Sequence, residues 1–179
     1  TAGFKGYTCR DLTDDMPAIL NHWSREKLDF SVIYTGYLCG TKQIELVGNI
    51  VKKTKQEHGL FIVDPVMADN GKFYPGFDIE FAKEMAKLCS IADVIVPNIT
   101  EATYLTDMPY IESGYTKEYI EELLDKLTEL GAKKIVLTGV SFDSTKLGIA
   151  VRDSESGDTF YYFNEKIPHS FHGTGDVYS

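Results

Sequence analysis

Apolar positions along the chain switch repeatedly between short β-branched runs and stretches with helical spacing. After Thr13-Asp14-Asp15, Met16, Ile19, Leu20 and Trp23 recur every three or four residues, which predicts a helix, and Ser31-Val32-Ile33-Tyr34 then predicts a strand. A second helix is predicted from about Thr41, through Ile44, Val47 and Val51, to a stop at Gly59. The strand Leu60-Phe61-Ile62-Val63 follows and is closed by Asp64-Pro65. The same unit then repeats. Ile79, Ala82, Met85 and Cys89 share a helix face ahead of the strand Val94-Ile95-Val96, which ends at Pro97-Asn98. Ile120, Leu123, Leu124, Leu127 and Leu130 share another, stopped by Gly131, ahead of Ile135-Val136-Leu137 and Thr138-Gly139. These strands are apolar without alternation, as expected of parallel strands covered on both faces.

After Thr138 the rhythm changes. Lys146 to Arg152 and Thr159 to Phe163 predict two strands joined by Ser154-Glu155-Ser156-Gly157-Asp158, an antiparallel hairpin at the sheet's edge. The fold class expected is therefore α/β, with a mainly parallel central sheet, helices on both faces and an edge β-hairpin. With no linker or internal repeat, one domain is expected over residues 1–179. Thr1 in place of an initiator Met, and an end just inside a predicted helix, lead us to expect a piece of a longer protein, incomplete at both ends.

Composition narrows the partners. The formal charge is −9, from 27 acidic against 18 basic residues, and no Lys/Arg stripe forms, which argues against nucleic acid or an anionic membrane as partner. No apolar run approaches the roughly 18 residues of a membrane span. Cys9, Cys39 and Cys89 are odd in number and scattered, which fits reduced thiols in a cytoplasmic protein.

Candidate chemistry gathers at the predicted strand ends. In an open parallel α/β sheet, ligands bind beyond the carboxyl ends of the strands. Asp64, Asn98, Thr138 and the turn Gly173-Thr174-Gly175-Asp176 all lie at or just past such ends. The glycine turn opens a helix, so its N–H groups can converge on a phosphate, and Asp176 is placed either to take a proton from an attacking hydroxyl or to complement the helix dipole. Asp64 can serve a phosphate-associated cation or cap the Pro65 turn. Glu101 stands three residues after Asn98, which makes it the far member of a capping box and equally a carboxylate within reach of hydrated Mg²⁺. Asp69-Asn70-Gly71 is a turn signal first and a source of phosphate or metal groups second. No G-x-x-x-x-G-K-[ST] occurs, and no G-x-G-x-x-G follows a first strand, which argues against a P-loop NTPase and a nicotinamide dehydrogenase.

Three segments in order carry a specific resemblance. Asp64-Pro65-Val66-Met67-Ala68-Asp69-Asn70-Gly71-Lys72-Phe73-Tyr74 is similar to the D-P-V-M-G-D segment of pyridoxal kinases. Pro97-Asn98-Ile99-Thr100-Glu101-Ala102 is similar to their P-N-x-x-E-A, and Gly173 to Asp176 to their G-T-G-D. With Tyr34-Thr35-Gly36-Tyr37 the likeness spans essentially the whole chain, and it looks most like the bacterial pyridoxine/pyridoxamine kinases of the ribokinase-like superfamily.

The resemblance implies ATP-dependent phosphorylation of the 5′-hydroxymethyl group of vitamin B6 vitamers in pyridoxal phosphate salvage, usually by a homodimer. Asp176 would be the general base, and Gly173, Thr174 and Gly175 the anion hole. Asp64 and Glu101 would organise Mg²⁺ largely through water, while Asn98, Thr138, Asp69 and Tyr74 would face the ATP phosphates. Thr1 and Tyr37 would line the pyridoxal pocket. Ala68 departs from the usual glycine, Gly139 from a serine, and Val96 stands where many relatives place a threonine near a monovalent cation, so the requirement for such a cation is open. The family's first strand and most of the helix after G-T-G-D are missing, so the fragment is expected to be catalytically poor. Two rival readings remain. Hydroxymethylpyrimidine kinases share D-P-V-M but commonly carry Cys where Asp176 stands, and a non-catalytic ligand-binding module would keep the fold without turnover.

Overall fold

The computed structural model describes residues 6, 8 and 10–167. Thr1, Cys9 and the Gly173–Asp176 turn lie outside the described residues. The chain opens with α1 (Met16–Arg25), whose Pro17 sits in the first turn, where a missing N–H leaves no helix bond unmade. β1 (Phe30–Thr35) follows, then α2 (Thr41–Thr54) and β2 (Lys55–Val63). Next come the short strands β3 (Ala68–Asp69) and β4 (Lys72–Phe73), then α3 (Ile79–Cys89), β5 (Val94–Ile95), α4 (Ile99–Thr106), α5 (Lys117–Glu129), β6 (Lys134–Val140), β7 (Lys146–Asp153) and β8 (Thr159–Glu165).

Six strands form one sheet in the order β1-β2-β5-β6-β7-β8. The first four are parallel, and the last two add an antiparallel hairpin at the edge. This is the mainly parallel sheet with an edge hairpin that the hydrophobic pattern predicts. Among the described residues the helices cover one face of the sheet, where both were expected, and one boundary differs. The second helix stops at Thr54, not at Gly59, and the chain is already extended at Lys55. Residues 55–58 are polar and carry no helical apolar repeat, so pairing with β1 decides their conformation. The register slips between Phe30↔Lys55 and Val32↔Leu60, leaving extra residues in β2. Gly59 closes that bulge where a Cβ would stand 2.9 Å from the Phe30 carbonyl oxygen, and Lys55 Nζ donates to its carbonyl at 2.6 Å.

Every parallel step, β1 to β2, β2 to β5 and β5 to β6, moves the same way across the sheet. Right-handed crossovers therefore bring α2 to α5 onto one face, and the helices pack in a continuous row, each against the next. Phe61, Val63, Ile95, Ile135 and Leu137 point into that layer and are fully buried, together with Met85, Leu123, Leu124 and Leu127. The alternate positions form the other face. Val32, Tyr34, Leu60, Phe160 and Tyr162 are exposed there, so among the described residues only one side of the sheet is covered. Its apolar character is that of a sheet built to be covered on both sides.

Candidate functional site

The parallel arrangement puts the ends of β2, β5 and β6 at one edge. At the first, the Asp64 N–H donates to the Thr35 carbonyl at 2.9 Å, and the Val66 N–H closes a tight turn over Pro65 onto the Asp64 carbonyl. The Tyr34 hydroxyl donates to Asp64 Oδ2 at 3.2 Å, so the carboxylate is oriented from the neighbouring strand. Beyond it Met67 and Ala68 are fully buried.

At the second end, Asn98 caps α4. Its Oδ1 accepts the Glu101 N–H at 2.9 Å, and Glu101 Oε2 accepts the Asn98 N–H at 2.9 Å, completing the capping box the spacing predicts. Asn98 Nδ2 donates to the Ala68 carbonyl at 2.9 Å, which leaves one of its two amide hydrogens for anything else. Glu101 Oε1 accepts the Met67 N–H at 3.2 Å. The Asp64 and Asn98 loops are thus fastened to each other. The third end joins them, since the Thr138 N–H and hydroxyl both donate to the Pro97 carbonyl, at 2.9 and 3.4 Å, and Asn98 bridges to Thr138.

Burial governs the electrostatics. Glu101 is only 3% exposed, and its carboxyl is pushed up to about 8, first by loss of solvent and then by the nearby negative charge of Asp64; the backbone N–H bonds oppose the rise. A divalent cation would relieve that arrangement. Among the described residues no group of three or more His, Cys, Asp or Glu side chains could enclose a metal. The donor set fits Mg²⁺ nonetheless, because that ion keeps several waters and commonly takes only one or two carboxylates besides phosphate.

A cavity of about 470 Å³ opens beside these loops, lined by Asp69, Asn70, Asn98, Thr100, Tyr110, Tyr115, Gly139, Phe142 and Lys166 among others. Its acidic and basic lining residues are Asp69, Glu112 and Asp143 against Lys166. A polyphosphate would enter such a rim accompanied by cations. Gly139 has a left-handed φ of 76° at the irregularity in β6, which glycine adopts without strain. Tyr115, nearly buried, accepts the Ser141 N–H at 2.8 Å and so braces the next turn.

Of the residues singled out from sequence, the structure brings Asp64, Asn98, Glu101 and Thr138 to one edge and puts Asp69 and Asn98 in the cavity wall. Tyr74 follows β4, is exposed, and donates its N–H to the Met67 carbonyl at 2.9 Å without lining the cavity. Tyr37 is 58% exposed, with its ring tilted against Phe77 at 5.5 Å. Thr1, Gly173, Thr174, Gly175 and Asp176 lie outside the described residues. Sequence reasoning passed over Thr100, Tyr104, Tyr110 and Tyr115. The first two are four positions apart on α4 and so share a face, which was the available signal.

Comparison with known proteins gives the family of the chain. The phosphomethylpyrimidine kinase family model matches residues 19–179. The pyridoxal kinase of Dictyostelium discoideum is 28% identical over 163 residues, covering 84% of this chain and 52% of its own. A proposed phosphomethylpyrimidine kinase from Bacteroides thetaiotaomicron, crystallised with pyridoxal, superimposes with a TM-score of 0.91 at 35% identity over 99% of this chain and 63% of its own. An ADP complex of Bacillus subtilis pyridoxal kinase gives a TM-score of 0.74 at 26% identity, over 91% of this chain and 59% of its own. The chain spans about half the length of the curated relatives it matches. By the matched span and by a sheet edge that gathers all the described motifs, the chain belongs to the phosphomethylpyrimidine kinase family, with pyridoxal kinases among its relatives.

Proposed function

We propose that the complete protein containing this chain transfers the γ-phosphoryl group of ATP to the 5′-hydroxymethyl group of a vitamin B6 vitamer. The observation that carries this reading is the fastening of the Asp64 and Glu101 loops to each other beside the 470 Å³ cavity. The pyridoxal and ADP bound by two of its relatives support the same pair of ligands. In this reading Asp69, Tyr74, Asn98 and Thr138 face the ATP phosphates, and Tyr37 and Thr1 lie toward the vitamer. Asp64 and Glu101 would hold Mg²⁺ largely through water, and the ion would supply positive charge at the transferring group. Asp176 takes the hydroxyl proton while Gly173, Thr174 and Gly175 offer N–H groups to the phosphoryl oxygens. Transfer is in line, from the γ-phosphorus to the vitamer oxygen, with ADP leaving and no covalent enzyme intermediate.

The family description points to a pyrimidine as second substrate, a phosphomethylpyrimidine, and its unphosphorylated form, hydroxymethylpyrimidine, is the rival alcohol to test. An assay of the complete protein with ATP, Mg²⁺ and each candidate separates the two. Phosphorylation of pyridoxal, pyridoxine or pyridoxamine in clear preference to hydroxymethylpyrimidine is expected. The reverse preference would replace the substrate, and tight binding of a vitamer without transfer would reduce the protein to a ligand-binding module.

A further inference from the structure

The β3–β4 hairpin turns through Asn70 and Gly71, both with left-handed φ, 50° and 72°, the geometry that suits Asn-Gly in a two-residue turn. Short two-stranded hairpins are marginal on their own. This one is held from outside. The Gly71 N–H donates to Thr100 Oγ at 3.0 Å, and the Tyr104 hydroxyl donates to the Gly71 carbonyl at 3.0 Å, so both polar groups of one backbone residue are tied to α4. The Tyr104 ring also stacks on Phe73, with centroids 3.9 Å apart. On the other side, the Tyr110 ring lies where a Cβ on Gly71 would come within 2.6 Å. The tip therefore rests against two aromatic residues and two hydrogen bonds.

What the tip presents is fixed as well. Both Asp69 carboxylate oxygens accept from Asn70, from its N–H at 2.8 Å and its side-chain amide at 3.0 Å. Asp69 and Asn70 then form one wall of the cavity. A wall already ordered before the ligand arrives spares the ligand the entropy of ordering it.

We propose that Tyr104, with Thr100, is a positioning residue of the nucleotide site, holding the hairpin tip in place before ATP binds. This rests on the reading of the cavity as that site. Tyr104 does not line the cavity, and it acts through Gly71. Helix α4 then has two tasks, with Asn98 and Glu101 at its first turn holding the strand-end loops and Tyr104, farther along, holding the tip.

The test uses the complete protein. Tyr104→Phe deletes one hydroxyl and keeps the ring on Phe73. Amide exchange at Asn70 and Gly71 should accelerate, and the Kd of Mg²⁺-ADP, measured calorimetrically without vitamer, should rise roughly two- to ten-fold, the range of one ordinary hydrogen bond. The Kd of pyridoxal should not move. Gly71→Ala, which drives a methyl group into the Tyr110 ring, should weaken ADP at least as much. Unchanged ADP affinity in Tyr104→Phe, or an equal loss for pyridoxal, would make Tyr104 a packing residue and overturn the proposal. A complete protein that binds ADP but phosphorylates no vitamer would instead defeat the substrate reading and leave this one standing.

Discussion

The side chain of Glu101 reaches 34 positions back along the chain to accept the backbone N–H of Met67 at 3.2 Å. Its second oxygen closes the cap of its own helix on the Asn98 N–H. A single buried carboxylate therefore joins the loop after β2 to the loop after β5, and any role with a cation is added to that structural one.

Glu101→Gln is consequently not a silent change. Its amide nitrogen would face either the Met67 or the Asn98 N–H, donor against donor. A loss of about 1–3 kcal/mol in unfolding free energy is expected, the range for a buried donor left unsatisfied. Denaturant titration measures it. The Mg²⁺ concentration needed for half-maximal rate in the complete protein should rise as well; an unaltered Mg²⁺ titration beside lowered stability would restrict Glu101 to its structural task.

The pH dependence of stability follows from the same burial. In the unfolded chain Glu101 titrates near its ordinary 4.5, and in the fold it is pushed up to about 8. The folded state holds the proton more tightly, so this contribution is full below about pH 4.5 and is lost as pH rises through about 8. The slope for one proton is at most about 1.4 kcal/mol per pH unit. Comparing the unaltered chain with Glu101→Gln between pH 5 and 9, without Mg²⁺, isolates the group. Mg²⁺ should flatten the slope, because it favours the ionised form.

Arg152 is a buried cation on β7, 8% exposed, that donates to Asp125 and Glu121 of α5 and to Thr159 of β8, each at 2.6 Å. It pins the edge hairpin to the helix layer. Arg152→Ala should cost about 1–3 kcal/mol, the range for charge-assisted hydrogen bonds, because the Glu121 and Asp125 carboxylates it leaves behind are reached by solvent. Asp125→Ala should cost less than about 1 kcal/mol, since that carboxylate is largely exposed. Equal losses would show that the network works as a surface pair.

Phe160 and Tyr162 on β8 are 65% and 64% exposed on the face of the sheet opposite the helices, the face that also exposes Val32 and Leu60 near the other edge. Exposed apolar sheet surface of that kind drives association. The 179-residue chain alone should self-associate in light scattering, and Phe160→Lys should reduce the effect. A monomeric chain that does not bind a hydrophobic dye would contradict an open face.

Most of the fold was legible because its strands and helices carry uninterrupted apolar signals. The capping box was legible for a local reason, since Asn98 and Glu101 are three residues apart. The start of β2 was not, because Lys55 to His58 are polar and their strand comes from pairing with Phe30 through a bulge. The hold of Tyr104 on Gly71 spans 33 positions and arises only once α4 packs under the hairpin. Asp64 and Thr138 could be assigned to one edge from strand ends alone, whereas the hydroxyl of Tyr34 on Asp64 depends on the register of β1 against β2.

The central claim is catalysis of phosphoryl transfer to a B6 vitamer with Asp176 as base, and Asp176→Asn in the complete protein tests it most directly. The amide keeps the shape of the side chain but cannot take the hydroxyl proton. The phosphorylation rate of pyridoxal should fall roughly a hundred- to ten-thousand-fold, the usual worth of a general base, or roughly 3 to 5 kcal/mol of transition-state stabilisation. Affinity for ADP and pyridoxal should change far less. A variant that still phosphorylated pyridoxal within about threefold of the parent rate, far inside that loss, would make Asp176 a helix-end charge and contradict the mechanism.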